Sequence, residues 1–266
     1  MFGLIFFVAL LIGMLIWTRQ QKKAADTRPI PSNIDSILNQ EVSYFRNLAV
    51  DRQKVFTAAV IHFLRVTRIE PVNTTITDTD RLLVAASAVI PIFGFPRWQY
   101  RNLTDVLVYE DQFNESFQTE GQHRNLMGMV GSGYMNGKML LSKTALREGF
   151  NNKTDKENTA IHEFVHLLDK ADGAADGLPE ALLSRQYTIP WLDLIHQQMA
   201  AIRNNQSDIN PYGLTNKAEF FAVASEYFFE RPDLLEQKHP ELFGMLEKIF
   251  HQYPDYHKPI QPILPK

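Results

Sequence analysis

The residues best suited to chemistry in this chain are two histidines and a glutamate in the segment His162-Glu163-Phe164-Val165-His166. If the segment is helical, residues four apart lie on one face about one turn apart, so the two imidazoles can hold one zinc ion. The glutamate between them would lie beside a zinc-activated water and take its proton. The spacing therefore predicts a hydrolytic zinc site with His162 and His166 as ligands and Glu163 as the general base.

Local signals indicate that this segment is helical. Thr154-Asp155-Lys156-Glu157 has the T-x-x-E pattern of a capping box, which closes the first turn of a helix. Gly173 and Gly177 follow the motif and are typical of a helix end. The predicted helix is therefore about 16 residues long. Its apolar residues, which would exclude water from the metal, are Ile161, Phe164, Val165 and Leu168.

Catalytic zinc usually takes three protein ligands, and two places in the sequence can supply the third. One is Asp172, shortly after the motif, but Asp169 stands where a site of that kind needs a glycine. The other is residues 216–230, an amphipathic pattern rich in Phe and Ala that predicts a second helix. Its Glu219 and Glu226 face the same way about 10 Å apart along the axis, so only one can bind the metal. Spacing alone leaves the choice between these two glutamates open.

The two segments together resemble the Mlc titration factor A family of zinc peptidases, whose active site is related to that of the anthrax lethal factor protease. The resemblance extends from about residue 44 to about residue 253. It implies that His162, His166 and Glu219 are the zinc ligands, and Tyr212 stands seven residues before the glutamate ligand, as in the family. The matching motifs are His162-Glu163-x-x-His166-x-Leu168-Asp169, Tyr212, and Ala218-Glu219-x-Phe221-Ala222-Val223-x-Ser225-Glu226-Tyr227-Phe228-Phe229.

The resemblance implies hydrolysis of peptide bonds, by an aminopeptidase or a short-peptide hydrolase. In that reaction Glu163 would carry the proton and Tyr212 would donate a hydrogen bond to the oxyanion. Asp169 and Glu226 are candidates for orienting a ligand imidazole. An exposed acid at the helix end is an equally good interpretation of Asp169.

One feature of the family is displaced here. Some members have a histidine shortly before a V-x-S-G segment, which is suggested as a further metal contact. The segment Val130-Gly131-Ser132-Gly133 is present, but the aligned position is near Asn125, and His123 lies two residues away. We therefore do not assign a metal contact to His123.

Family members also bind a transcriptional repressor of sugar uptake. The alternative function is therefore a membrane-tethered regulatory module that binds a transcriptional regulator or another partner protein, with zinc as a structural element. The intact Glu163 favours catalysis over this alternative, because a purely structural zinc site has no use for a general base.

Composition excludes several other classes of site. The chain has no cysteine, which excludes disulfides, cysteine-ligated zinc and thiol catalysis. The net charge is −3 and no long basic run follows residue 23, so nucleic-acid binding has no support. An apolar fraction of 45% is typical of a foldable globular chain.

The amino-terminal residues differ from the rest of the chain in hydrophobicity and charge. Residues 2–17 are an unbroken apolar run, and Arg19, Lys22 and Lys23 follow at once. Positive charge after the run favours an uncleaved anchor over a signal peptide and predicts that this flank stays in the cytoplasm. We therefore expect a transmembrane anchor over residues 1–18 with a cytoplasmic catalytic domain.

The remainder divides by composition and periodicity. We expect a linker over residues 19–40, the metallopeptidase domain over residues 41–253, and an irregular proline-rich tail over residues 254–266. Short apolar runs predict strands at Val106–Tyr109 and Lys138–Ser142, and the latter is expected to be an edge strand that pairs with a peptide. Helices are predicted over residues 38–66, 78–90, 191–202 and 242–250. The predicted class is α+β, a mainly helical zincin-like domain with a small β-sheet.

Overall fold

A computed structural model describes Phe7 and residues 30–112, 127–130, 137–152 and 155–252. The predicted anchor over residues 1–18, apart from Phe7, and the predicted tail over residues 254–266 lie outside the described residues. Among the described residues, no helix combines the length and the apolar character that crossing a bilayer requires.

The described ranges contain ten α-helices and a four-stranded sheet, which confirms the predicted α+β class. The helices are α1 (Ile34–Glu41), α2 (Ser43–Arg46), α3 (Val50–Val66), α4 (Asp78–Ile92), α5 (Lys143–Asn151), α6 (Thr159–Asp169), α7 (Thr188–Arg203), α8 (Lys217–Glu230), α9 (Pro232–Lys238) and α10 (Pro240–Phe250). The strands are β1 (Arg68–Val72), β2 (Asp105–Tyr109), β3 (Gly128–Val130) and β4 (Lys138–Ser142). Short 3₁₀ helices span Lys170–Asp172, Arg185–Tyr187 and Pro211–Leu214.

The sheet has the strand order β1-β2-β4-β3, in which β1, β2 and β4 are parallel and β3 is antiparallel to β4. Lys138–Ser142 therefore forms an internal strand, and the prediction that it is an edge strand is wrong. The three-residue strand β3 forms that edge instead, and it lies against α6. A strand this short leaves no alternating pattern by which the sequence could reveal it.

The helix α4 runs through the centre of the core, and every residue from Leu82 to Pro91 is buried. A helix that is apolar on all sides is expected only in such a position. The motif helix α6 packs against α4 and against α8. The core therefore holds α6 from two sides, and β3 also lies against this helix.

The folded domain begins earlier than the sequence indicated. Ile34 and Leu38 on α1 are buried in the main core, so α1 overlaps the predicted linker over residues 19–40. These two residues are four apart and share a helix face. The prolines at 29 and 31 favoured the linker assignment, but they precede the helix and do not interrupt it.

Asp80 joins the start of α4 to α5. Its carboxylate completes a capping box with Thr77 and accepts two hydrogen bonds from Arg147, at 2.6 Å from Nε and 3.0 Å from Nη2. Burial raises the pKa of Asp80, but the bonds from Arg147 and Thr77 outweigh it and hold the pKa below its ordinary value. The carboxylate therefore stabilises the fold above about pH 4, and this stabilisation is lost as the pH falls below that value.

We expect Asp80→Asn to lower the free energy of unfolding by about 2–3 kcal/mol, because it removes a cap and leaves Arg147 without its ion-pair partner. Urea unfolding followed by circular dichroism at pH 7 measures the change. Asp78→Asn, on the same first turn but exposed, is the matched control and should shift stability by less than about 0.5 kcal/mol. Equal effects of the two substitutions would contradict the prediction.

Candidate metal centre

The motif helix begins at a different residue from the one predicted. Its N-cap is Asn158, whose Oδ1 accepts a hydrogen bond from the backbone N–H of Ile161 at 3.1 Å. Thr154 lies outside the described residues, and Glu157 accepts instead from the Asn210 amide at 2.6 Å. The prediction that a capping box at residues 154–157 starts the motif helix is therefore wrong. The helix α6 has 11 residues rather than the predicted length of about 16.

The end of this helix agrees better with the sequence. A 3₁₀ turn, Lys170–Asp172, follows α6 and stops at Gly173, which has a φ of 111°. That left-handed conformation is readily accessible to glycine alone. The prediction that Gly173 marks the end of the motif helix is confirmed.

The cap of α8 brings Glu219 to the motif. Asn216 Oδ1 accepts a hydrogen bond from the backbone N–H of Glu219 at 2.9 Å, which fixes this glutamate in the first turn. A carboxylate there interacts favourably with the positive end of the helix dipole. The first turn of α8 thus presents an ionised oxygen toward α6.

Three side chains meet between the two helices. His162 Nε2 lies 3.0 Å from Glu219 Oε2 and 3.1 Å from His166 Nε2, and His166 Nε2 lies 3.3 Å from the same Glu219 oxygen. A tetrahedral zinc with bonds of about 2.0–2.1 Å has ligand-to-ligand separations of about 3.3–3.4 Å. Two imidazoles and a carboxylate at this spacing can hold a divalent metal ion.

Glu226 fixes the orientation and tautomer of one imidazole. Its Oε1 lies 2.6 Å from His162 Nδ1, and its Oε2 accepts from the backbone N–H of Asn158 at 2.6 Å. Because the Nδ1–H donates to this carboxylate, Nε2 is the nitrogen of His162 that is left to bind a metal ion at the cluster. Glu226 thus lies where it can orient His162, as the sequence suggested, about two turns further along α8 than Glu219.

Burial and charge compete at the cluster. Burial lowers the pKa of His162, but the carboxylates of Glu226 and Glu219 outweigh it and hold that pKa well above its ordinary value. Burial likewise raises the pKa of Glu219, and hydrogen bonds with both histidines bring it down to about 2. Glu219 is therefore ionised at neutral pH, and the same negative charge that attracts a proton attracts a metal cation.

Glu163 lies next to the cluster and is held in place by β3. Its side chain is buried, and a Cβ built on Gly128 would come within 2.5 Å of its Cγ and 2.7 Å of its Oε1. Burial, as the largest effect, raises the pKa of Glu163 above its ordinary value. Absence of a side chain at position 128 is thus what allows the glutamate to lie along the edge strand.

The cluster opens into a cleft of about 500 Å³. Both motif histidines, Glu163 and Glu219 line it, with β3 on one side and Tyr212 on the other. The Tyr212 side chain is 53% exposed, and its ring centre lies 6.0 Å from that of His162. Burial, followed by the nearby carboxylates, raises the pKa of Tyr212, so the phenol keeps its proton at neutral pH.

Two acidic residues near the motif have other roles. Asp169 is fully buried, and its Oδ2 accepts from the backbone N–H of Gly177 at 2.8 Å, so the interpretation as an exposed helix-end acid is wrong. Among the described residues, no histidine donates a hydrogen bond to Asp169. Asp172 accepts from the backbone of Ala174 and Glu180 and is not part of the cluster. His123 lies outside the described residues.

Sequence reasoning missed Gly128 and both asparagine caps. Each asparagine stands three residues before the backbone N–H that it caps, a spacing visible in the sequence. No comparable signal marks Gly128, because its role depends on a contact with Glu163, 35 positions further along the chain.

Comparison with known proteins places this site in a family. The model of a protein family, the glucose-regulated metallo-peptidase M90 family, matches residues 15–251. An uncharacterized protein of Synechocystis sp. is 28% identical over 256 residues, which cover 91% of this chain and 92% of the relative. Mlc titration factor A of Pectobacterium atrosepticum is 26% identical over 218 residues, with 78% and 82% covered. The protein of the same name from Escherichia fergusonii is 24% identical over 253 residues, with 90% and 91% covered.

Both helices that carry His162, His166 and Glu219 lie within the matched residues, and the resemblance to the Mlc titration factor A family is confirmed. The match spans most of the chain, from residue 15 to residue 251. The chain therefore belongs to the glucose-regulated metallo-peptidase M90 family.

Proposed function

We propose that this chain is a zinc-dependent metallopeptidase that hydrolyses short peptides or aminoacyl amides. The observation that carries the proposal is the meeting of His162, His166 and Glu219 within 3.3 Å of one another, beside a buried Glu163 that lines the same cleft. A purely structural metal site has neither a neighbouring base nor an open cleft.

The donor set favours zinc among the common divalent ions. Two imidazole nitrogens and one carboxylate oxygen are typical of catalytic zinc sites, whereas magnesium and calcium prefer oxygen ligands alone. His162, His166 and Glu219 would hold the ion. When bound, zinc supplies Lewis acidity toward water and toward the carbonyl of the substrate.

The proton carrier in this proposal is Glu163. Burial moves the pKa of Glu163 closer to neutral pH. This suits a group that accepts a proton from the attacking water and passes it to the leaving amine. Tyr212 faces the cleft as a protonated phenol, and its hydroxyl has no hydrogen-bond partner among the described residues. It is placed to donate a hydrogen bond to the developing oxyanion.

The peptide would lie along β3. One side of this strand pairs with β4, and its other side has no strand partner in the part of the chain that the structure describes. An extended peptide can pair with such a free edge by main-chain hydrogen bonds. The cleft is of a size that suits a short peptide segment.

The test uses the full-length protein, kept in mild detergent because of its apolar amino-terminal run, and a panel of aminoacyl chromogenic amides and short peptides. Hydrolysis should disappear on chelation and return on addition of about one equivalent of zinc. Zinc binding at one per chain without hydrolysis of any substrate would contradict the peptidase proposal and favour the second candidate below.

A second candidate is a regulatory module that binds a partner protein. It is supported by the relatives named Mlc titration factor A. Binding of a transcriptional regulator by the zinc-loaded protein, with no hydrolysis of the panel, would establish this candidate instead. Loss of that binding on chelation would indicate that the metal site shapes the binding surface.

Glu226→Gln should weaken zinc binding by about 10- to 100-fold, because this carboxylate accepts from both His162 Nδ1 and the Asn158 backbone. A glutamine amide offers one acceptor oxygen and cannot satisfy both donors. Competition with a chromogenic chelator measures the affinity. Glu148→Gln, an exposed change on α5, is the control and should leave the affinity unchanged. Unaltered zinc affinity in the Glu226 variant would contradict the orienting role.

We also propose that residues 1–18 anchor the chain in a membrane with the catalytic domain on the cytoplasmic side. The support is the apolar run over residues 2–17 and the positive charges that follow it. Retention of the full-length protein in the membrane pellet after alkaline carbonate extraction is the expected result. Release into the supernatant would contradict an embedded anchor.

A further inference from the structure

A second cleft, of about 550 Å³, adjoins the metal centre. It is formed by residues 97–103 together with parts of β3, β4 and α6 and the 3₁₀ turn that follows α6. Val130 on β3 and Lys170 on that turn line both clefts, so the two share a wall. A peptide lying along β3 would therefore pass directly from one to the other. We call this second cleft the basic groove.

The charged side chains that line the basic groove are all positive. Arg97, Arg101, Lys138 and Lys170 line it, and none of the described residues that line it is acidic. The ammonium of Lys138 lies 3.4 Å from Asp105, whereas the other three cations have no ion-pair partner among the described residues. The chain as a whole carries a net charge of −3, so this concentration of positive charge is a local feature.

Aromatic side chains make the floor of the groove rigid. Tyr100 donates a hydrogen bond to the backbone carbonyl of Ala88 at 2.8 Å, and its ring packs against Phe63 and against Phe164 of the motif helix. Trp98 packs on Phe95, with ring centres 6.0 Å apart. The groove thus combines a fixed apolar floor with exposed guanidinium groups at its rim.

We propose that the basic groove is a subsite for an acidic side chain of the peptide substrate, a glutamate or aspartate close to the scissile bond. This inference rests on the proposed peptidase function. An acidic side chain would lay its aliphatic stem on Tyr100 and Trp98 and its carboxylate against Arg97 or Arg101. Guanidinium groups bind carboxylates through two parallel hydrogen bonds, which gives direction as well as attraction.

The edge strand explains why a peptide is the ligand. Successive side chains of an extended peptide point to opposite sides at about 3.3 Å per residue. A chain paired with β3 would therefore direct alternate side chains toward the wall at Val130 and Lys170 that the two clefts share. The metal centre and the basic groove would then contact neighbouring positions of the same peptide.

The experiment compares fluorogenic peptides that carry either Glu or Gln at each of three positions on both sides of the scissile bond. The zinc-loaded full-length protein should prefer Glu by about tenfold in kcat/KM at one or more of these positions. The double variant Arg97→Gln/Arg101→Gln should reduce that preference to about twofold or less. Arg65→Gln, an exposed change on α3 outside both clefts, should preserve it.

A binding measurement separates this inference from the peptidase proposal. Fluorescence anisotropy of labelled Glu and Gln peptides is recorded with the zinc-loaded Glu163→Gln protein, with and without the two arginine substitutions. Preferential binding of the Glu peptide that depends on the arginines, without hydrolysis by the wild type, would support the groove and overturn the peptidase function. Hydrolysis with equal rates for Glu and Gln peptides at every position would overturn the groove alone. Equal binding without hydrolysis would overturn both.

Discussion

Replacing Glu163 by glutamine should reduce kcat/KM for peptide and aminoacyl amide hydrolysis by a factor of about 10²–10⁴, while zinc stays bound. The amide has nearly the same shape as the carboxylate but accepts no proton at neutral pH. Because Glu163 is not in the cluster of His162, His166 and Glu219, its substitution leaves all three donor atoms in place. The loss should therefore appear mainly in kcat.

The measurement runs wild type and Glu163→Gln side by side on the same substrates, with the zinc content of each determined by atomic absorption. Glu148→Gln, an exposed substitution of the same kind, should retain wild-type rates and controls for the handling of the variants. A variant that still hydrolyses at the wild-type rate with zinc bound would exclude Glu163 as the base. A variant that has lost its zinc would show instead that this glutamate supports the ligands.

The sequence predicted those parts of the site that depend on short spacings. His162, Glu163 and His166 lie within five positions on one helix, so the helical repeat alone places them together. The period of apolar residues likewise predicted α4, α7 and α10 within a few residues of their observed ends. Neither inference required knowledge of how the helices pack.

The choice between Glu219 and Glu226 required more than spacing. Both face α6, and the structure separates them by depth, with Glu219 beside both Nε2 atoms and Glu226 beside Nδ1 of His162. The cap at Asn216 fixes the first turn of α8, where Glu219 lies. The resemblance to the family favoured Glu219, and Glu219 is the glutamate that lies beside both Nε2 atoms.

The sheet edge could not be predicted because it depends on the partners of each strand. The residues of Lys138–Ser142 alone predict a strand but not its neighbours. Its pairing with β2 on one side and β3 on the other makes it an internal strand. The start of α6 was misplaced for a related reason. The pattern at residues 154–157 competed with Asn158, and the tertiary partners of Asn158, Gly149 and Glu230, stabilise the later start.

The largest effect expected outside the ligands and the base is that of Gly128→Ala. A methyl group at this position would lie 2.5–2.8 Å from Cγ, Oε1 and Cδ of Glu163, closer than nonbonded atoms approach one another. Either β3 or the carboxylate must move, and a displacement of about 1 Å at a catalytic group can lower a rate by about 10²-fold. We expect kcat to fall by about 10- to 100-fold, with zinc affinity nearly unchanged because the three atoms nearest to the methyl group all belong to Glu163.

The size-matched control is Gly244→Ala on α10, where a Cβ would meet nothing within 4 Å. Glycine inside a helix is less stable than alanine, so this control should fold at least as well as the wild type and keep its activity. The double variant Gly128→Ala/Glu163→Gln distinguishes a positioning role from a general loosening of the sheet. If the methyl group acts only through the carboxylate, adding Gly128→Ala to Glu163→Gln should lower kcat by little more, since the two residues then share one contribution. Independent, multiplying losses in the double variant would show instead that Gly128 acts on the edge strand itself, and hence on the peptide that we propose to pair with it.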